Sequence, residues 1–165
     1  MHFKNTLAEY GLISKSLHWI SAILLLVQIP LGFYLVDLDF GTERINIESI
    51  HVIVGLSIFY LVILRLLTKI INPTPKLNPS IFKGQKLLAK LNHILLYVTI
   101  LSITISGILK KLFNGETLVI FFKEFRTQDN FELAEVFYDI HVFSNYFIIA
   151  LIATHILAVI VHKFF

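Results

Sequence analysis

Three histidines follow one another at helical intervals in the last apolar stretch of the sequence, between Asp139 and Lys163. His141 precedes His155 by fourteen residues and His155 precedes His162 by seven, which is nearly four and nearly two turns of α-helix. All three imidazoles are therefore expected on one stripe of a helix, with the first two roughly 21 Å apart along its axis. Ionisable side chains are costly in a bilayer core about 30 Å thick and usually mark a functional site. The spacing indicates two levels of ligands, one toward each face of a membrane.

Another histidine matches the outermost of these in depth. His51 lies three residues after Glu48, and His141 lies two residues after Asp139, so each stands just inside a charged residue that bounds its apolar run. The two form the better defined pair. The simpler interpretation of either one alone is an interfacial histidine that is hydrogen-bonded to backbone or water.

The other level is less well defined, because three histidines lie at comparable depth. Counting to the charged residue at the far end of the span gives 19 residues for His18, 17 for His93 and 16 for His155. Depth alone cannot decide which two of these form a pair. It favours His93 as the partner of His155, and His18 stays a possible partner.

The absence of cysteine limits the chemistry that these histidines can support. Without cysteine, and with Met1 as the only methionine, thiolate zinc sites, iron–sulfur clusters, covalent c-type haem and methionine-ligated haem are excluded. Stacked histidine pairs do not form the tetrahedral set that zinc prefers. They suit the two axial positions of haem b, and filling both positions leaves none for dioxygen, which favours electron transfer. A haem-free, histidine-lined carrier of metal ions or protons is the alternative of another class.

Composition predicts the element type that must position the histidines. Of the 165 residues, 56% are hydrophobic and 15% are charged, far less charge than a soluble domain carries. Apolar runs near the length of a membrane crossing must be helices, because backbone groups in lipid have to be paired internally. We therefore expect an all-α membrane protein, one four-helix transmembrane bundle, with spans at about 16–36, 47–70, 91–109 and 138–162.

The distribution of charge predicts the orientation of the spans. The two termini and the 65–90 segment together carry nine basic residues against one acid, Glu9. The other side carries five basic residues against ten acids. Basic residues are enriched on the cytoplasmic side of membrane proteins, so both termini are expected in the cytoplasm of a bacterium, with the protein in its inner membrane.

Arg65 is a further candidate for a cofactor contact. It follows His51 by fourteen residues, so it shares the histidine face of its helix near the cytoplasmic side. The guanidinium is expected to pair with a haem propionate or a group at a quinone site. The alternative is an arginine whose charged end merely reaches the membrane surface.

Several short motifs, in this order and spacing, resemble those of the bacterial cytochrome b561 family of di-haem membrane proteins. They cover nearly the whole chain: SLHW at 16–19, IHVIVGLSI at 50–58 with Arg65, NPTP at 72–75, LNHILLY at 91–97, SG at 106–107 and IHVFSNYFIIALIATH at 140–155. The hydrogenase subunits of the family tend to be longer, with an extra span that this chain lacks.

The resemblance implies a ligand set and two haem b cofactors. By it, His51 and His141 hold the outer haem, while His18 and His155 hold the inner one. His93 and His162 then match positions associated with a quinone site at the cytoplasmic surface. The implied function is electron transfer across the membrane from a periplasmic donor to ubiquinone or another quinone, with lipid and quinone as partners and no nucleic acid.

The donor stays open between two classes. The family includes a superoxide oxidase, and superoxide, as an anion, would be steered by positive potential. The outer side is acidic overall, so only a local patch could focus an anion there, such as Lys110, Lys111, Lys123 and Arg126. The rival function is that of a cytochrome b anchor that relays electrons for a periplasmic dehydrogenase or reductase.

Overall fold

The computed structural model describes residues 2–75 and 83–164, except for the side chains of residues 83 and 162–164. Within these residues, four helices are long and apolar enough to cross a membrane. The elements in chain order are α1 (Leu12–Asp37), α2 (Thr42–Ile71), α3 (Lys83–Phe113), β1 (Leu118–Ile120), β2 (Lys123–Phe125) and α4 (Phe131–Phe164). The predicted class, an all-α membrane protein with four membrane-crossing helices, is confirmed.

The helices are longer than the apolar spans that predict them. Each span lies inside one helix, and α4, for example, begins at Phe131 rather than near residue 138. A span ends at the first charged residue, whereas a helix continues into the headgroup region, where charged side chains remain solvated. α1 also continues through Pro30.

The connection between α3 and α4 differs from the sequence interpretation. The apolar spans leave residues 112–137 as the longest outer connection, which could lie over the bundle as a cap. In the structure the connection runs from residue 114 to residue 130, and β1 and β2 form an antiparallel hairpin in it, with Leu118 opposite Phe125. The sequence did not predict a hairpin at this apolar run, residues 118–122, because its turn lacks the glycine or asparagine that usually marks a hairpin turn.

The chain divides into two compact units, Met1–Leu77 and Asn78–Phe165. In the first unit, α1 and α2 pack together, and the segment before α1 folds back over its first turn. The backbone N–H groups of Leu12 and Ile13 donate to the carbonyls of His2 and Phe3, which pairs helix-end donors that would otherwise lack partners. At the other end of α1, the Arg44 guanidinium donates to the carbonyls of Leu35 and Leu38.

In the second unit, polar side chains link α3 and α4 at intervals along their length. Ser102 and Ser144 share a hydrogen bond of 3.0 Å between their hydroxyl oxygens, and the Asn92 amide donates to the Thr154 hydroxyl at 3.0 Å. Lipid supplies little hydrophobic drive for helices to associate, so such small and polar contacts carry much of the packing. They fix the register between the histidines of α3 and α4.

Candidate functional site

His141 has the surroundings of a metal-ligating histidine. On α4, its Nδ1 lies 2.8 Å from the carbonyl oxygen of Ile103 on α3. A carbonyl only accepts, so Nδ1 carries the proton and donates. The lone pair of the neutral ring is then at Nε2. Ligating histidines in proteins are typically oriented by this kind of second hydrogen bond.

A glycine on α3 makes room for the ring of His141. A Cβ atom added at Gly107 would lie 3.1 Å from both Cε1 and Nδ1 of the imidazole. That is tighter than an ordinary van der Waals contact, so a side chain at this position would push the ring away from Ile103. Gly107 belongs to the SG motif, whose role the sequence alone leaves undefined.

The same arrangement recurs around His51 in the other unit. A Cβ atom at Gly32 on α1 would lie 3.2 Å from Cε1 of His51. One turn earlier on α1, the Gln28 amide donates to the backbone carbonyl of His51 at 2.9 Å. Sequence reasoning missed Gln28 and Gly32; their four-residue spacing, which places both on one face of α1, is the signal that could have found them.

Arg65 contacts His18 directly. Its Nη2 lies 3.2 Å from Nδ1 of the His18 ring. A guanidinium only donates, so Nδ1 accepts and the ring proton is at Nε2. Trp19 packs edge-on against the same ring, with centroids 5.4 Å apart. The structure thus brings together the two residues of the first unit that the sequence placed toward the cytoplasmic side.

His93 and His155 lie side by side within the second unit. Their ring centroids are 5.3 Å apart at an interplanar angle of 56°. The two rings are therefore in direct contact. The side chain of His162 lies outside the described residues.

The basic patch considered for anion steering is partly neutralised. Lys111 forms an ion pair with Glu116, just after the end of α3. Lys123 and Arg126 are exposed on and after β2. This leaves less net positive charge at the end of α3 than the sequence count indicates.

The described residues contain no group of three or more histidine, aspartate or glutamate side chains placed to hold a metal ion. Single histidines instead stand within helices of membrane-crossing length, each oriented or accommodated by a neighbouring helix. Such sites suit a cofactor that brings most of its own metal ligands, as haem does. Helices of membrane-crossing length that bear such histidines fit the class of multi-pass membrane cytochromes of the b type.

Comparison with known proteins gives the family. A family model described as prokaryotic cytochrome b561 matches residues 9–165. The Escherichia coli (strain K12) protein named cytochrome b561 homolog 2 is 31% identical over 122 residues, which are 73% of this chain and 65% of that protein's length. The match therefore spans less than two thirds of this relative. The chain belongs to the prokaryotic cytochrome b561 family.

Gly107→Ala tests whether the space beside His141 matters for haem binding. The added methyl group should displace the imidazole and break its hydrogen bond to Ile103. Loss of a partner that orients a metal ligand typically weakens binding by about 10- to 100-fold, so haem should be lost on dilution or competition. Gly41→Ala is the control, because no atom lies within 4 Å of a Cβ there. Equal haem retention in both variants, measured by absorbance during transfer to apomyoglobin, would contradict the assigned role of Gly107.

Proposed function

We propose that this protein is a di-haem b cytochrome that moves electrons across the bacterial inner membrane to a quinone. His51 and His141 would hold the outer haem, and His18 and His155 the inner one. The single observation that carries the proposal is the environment of His141, whose Nδ1 donates to Ile103 and whose ring is accommodated by Gly107.

The surroundings of the other ligands support the same assignment. His51 repeats the glycine contact, and the Gln28 hydrogen bond fixes the α2 backbone at this residue. Haem b, when bound, supplies a one-electron carrier whose potential depends on its axial ligands, burial and hydrogen bonds. The protein's own contribution is to orient the imidazoles and to exclude water from them.

Arg65 has a part in binding the inner haem. While the guanidinium donates to Nδ1 of His18, the ring proton is at Nε2, the nitrogen that would have to face a metal. Ligation through Nε2 requires this contact to open. The released guanidinium is then available for an acidic group, and a haem propionate suits its planar, two-pronged geometry.

The contact of His93 with His155 supports a quinone site beside the inner haem. A histidine that touches a ligating ring without being a ligand itself is close enough to serve a substrate there. Quinone reduction consumes protons as well as electrons, and histidine is well suited to proton transfer near neutral pH. His162 is proposed for the same site from its place in the sequence. With both termini in the cytoplasm, this site lies at the inner face.

Haem stoichiometry tests the proposal. The purified protein should show a reduced b-type spectrum and about two non-covalent haems per chain in a pyridine haemochrome assay, because two histidine pairs imply two bis-histidine sites. A value near one would refute the two-level arrangement. A protein purified after haem-supplemented expression that still binds none would favour the haem-free carrier.

If superoxide is the donor, the rate of haem reduction should depend on salt concentration and on the charges of the basic patch. If positive residues steer it, the rate of haem reduction should fall as salt is raised, because steering is screened beyond about 8–10 Å at 0.1–0.15 M salt. Reversal of Lys110 and Lys123 should lower the rate further at low salt, while Lys111, already paired with Glu116, should contribute less. Stopped-flow spectroscopy measures this, with haem content as the control. Haems that superoxide does not reduce would favour the membrane anchor that serves a periplasmic redox enzyme.

A further inference from the structure

The β hairpin between α3 and α4 ends in two phenylalanines in an unusual conformation. Ile120 pairs with Lys123, so Phe121 and Phe122 alone form the loop, with φ of 49° and 64°. Two consecutive left-handed residues make a type I′ turn, in which asparagine and glycine are strongly preferred. Bulky residues are rare in this region because their Cβ atoms are crowded. Backbone strain of this kind clusters at functional sites.

The tip of the hairpin is exposed. Phe122 is fully exposed and Phe121 is 58% exposed, and Val119 and Phe125 in the strands are also exposed. In the strands, Leu118 is buried at 6% exposure and joins the hairpin to the rest of the unit. The Phe122 ring therefore buries no apolar surface against the described chain, and an apolar environment outside it would stabilise it.

The hairpin begins close to the end of a membrane-crossing helix. α3 ends at Phe113, three residues after the charge at Lys110 that bounds the third apolar run. The Phe113 ring stacks on Phe137 of α4, with centroids 5.7 Å apart. From Phe113 to Leu118 the chain can reach at most about 18 Å. The hairpin thus starts within reach of the interfacial layer of the bilayer.

Charge on the hairpin complements a phospholipid surface. Lys123 directly follows the aromatic tip, and Arg126 comes just after β2; both are exposed. Glu124 pairs with Val119 across the hairpin, so its carboxylate lies on the face opposite to Lys123. Aromatic rings flanked by cations are typical of segments that lie in the membrane interface, with rings at the acyl boundary and cations near the phosphates.

We propose that the hairpin tip is a membrane anchor that inserts Phe121 and Phe122 into the phospholipid of the outer leaflet. Lys123 and Arg126 bind headgroup phosphates beside it. The anchor holds the α3–α4 connection down on the bilayer surface instead of leaving it in the periplasm. It rests on the hairpin and on the proposed orientation with both termini in the cytoplasm, and it is independent of the haem ligands.

Site-directed spin labelling tests the anchor, and the cysteine-free sequence makes each introduced cysteine a unique label site. Phe122→Cys is labelled in the full-length protein in phosphatidylethanolamine–phosphatidylglycerol nanodiscs. Phe143→Cys, on α4 and 74% exposed, is the lipid reference, and Gln128→Cys, exposed after the hairpin, is the water reference. Collisions with oxygen, which concentrates in lipid, are compared with collisions with a water-soluble nickel chelate.

The label at 122 should behave like the label at 143, with oxygen collisions dominant. A label at 122 that meets the nickel chelate as freely as the label at 128 overturns the proposal and favours a docking surface for a soluble protein. Phe122→Cys removes one of the two phenylalanine rings, so a second measurement places the label elsewhere and keeps both rings. In it, Val119→Cys carries the label, with Phe121–Phe122 either intact or replaced by Asn-Gly, the sequence that the turn prefers.

The Asn-Gly replacement should leave the hairpin folded and remove only the aromatic rings. Nickel-chelate collisions at position 119 should then rise several-fold over those in the protein with both phenylalanines. Equal collision rates in the two proteins would show that the rings do not hold the hairpin at the membrane.

Discussion

Replacing His141 by alanine should reduce the haem content from about two per chain to about one, with the remaining haem spectroscopically intact. His51→Ala should give the same product, because both histidines belong to the proposed outer site. The side chain of His141 is the best oriented of the candidate ligands: its Nδ1 proton goes to Ile103 and its Nε2 lone pair is left for a metal. The measurement is the pyridine haemochrome assay, together with a redox titration that assigns the remaining potential.

His18→Ala and His155→Ala should each remove the inner haem. The haem that remains should have the redox potential that is missing in His51→Ala and His141→Ala. Added imidazole should partly restore the missing haem in each alanine variant, because free imidazole can take the place of the deleted histidine side chain. If His51→Ala and His141→Ala lost haems with different potentials, the outer pair would be wrong.

Replacing His93 by alanine should slow quinone reduction by roughly 100-fold, the lower end of the usual contribution of a positioned general acid. Both haems should remain, because His93 contacts the ring of His155 without being a proposed ligand. His162→Ala should also slow the reaction. Stopped-flow oxidation of the pre-reduced haems by a short-chain ubiquinone measures the effect, and His2→Ala, an exposed histidine of the N-terminal segment, is the matched control.

The same variant decides between the two ways of pairing the inner histidines. Depth in the sequence favours His93 as the partner of His155, whereas the family resemblance gives His18. Loss of the inner haem in His93→Ala, with retention in His18→Ala, would support the depth count. Unchanged quinone kinetics in both His93→Ala and His162→Ala would remove these residues from the quinone site.

The sequence by itself determined the fold class, because backbone polar groups in lipid must be hydrogen-bonded within the protein. Apolar runs of about 20 residues between charges can only be helices in a bilayer, and all four are present. The helical period of 3.6 residues also placed His141 and His155 on one face of α4 before any contact was known. The motifs predicted the family that the comparison then showed.

The tertiary structure decided what stands next to each histidine. Gly32 beside His51 and Gly107 beside His141 are contacts between different helices, and their register depends on side chains such as Ser102 and Ser144 that no periodicity predicts. The contact of Arg65 with His18, 47 residues apart in sequence, is of the same kind. The hairpin at 118–125 also escaped prediction, because its turn is formed by two phenylalanines in a conformation that local propensity disfavours. Sequence sets which face of a helix is chemically active, whereas packing between helices sets which atoms meet there.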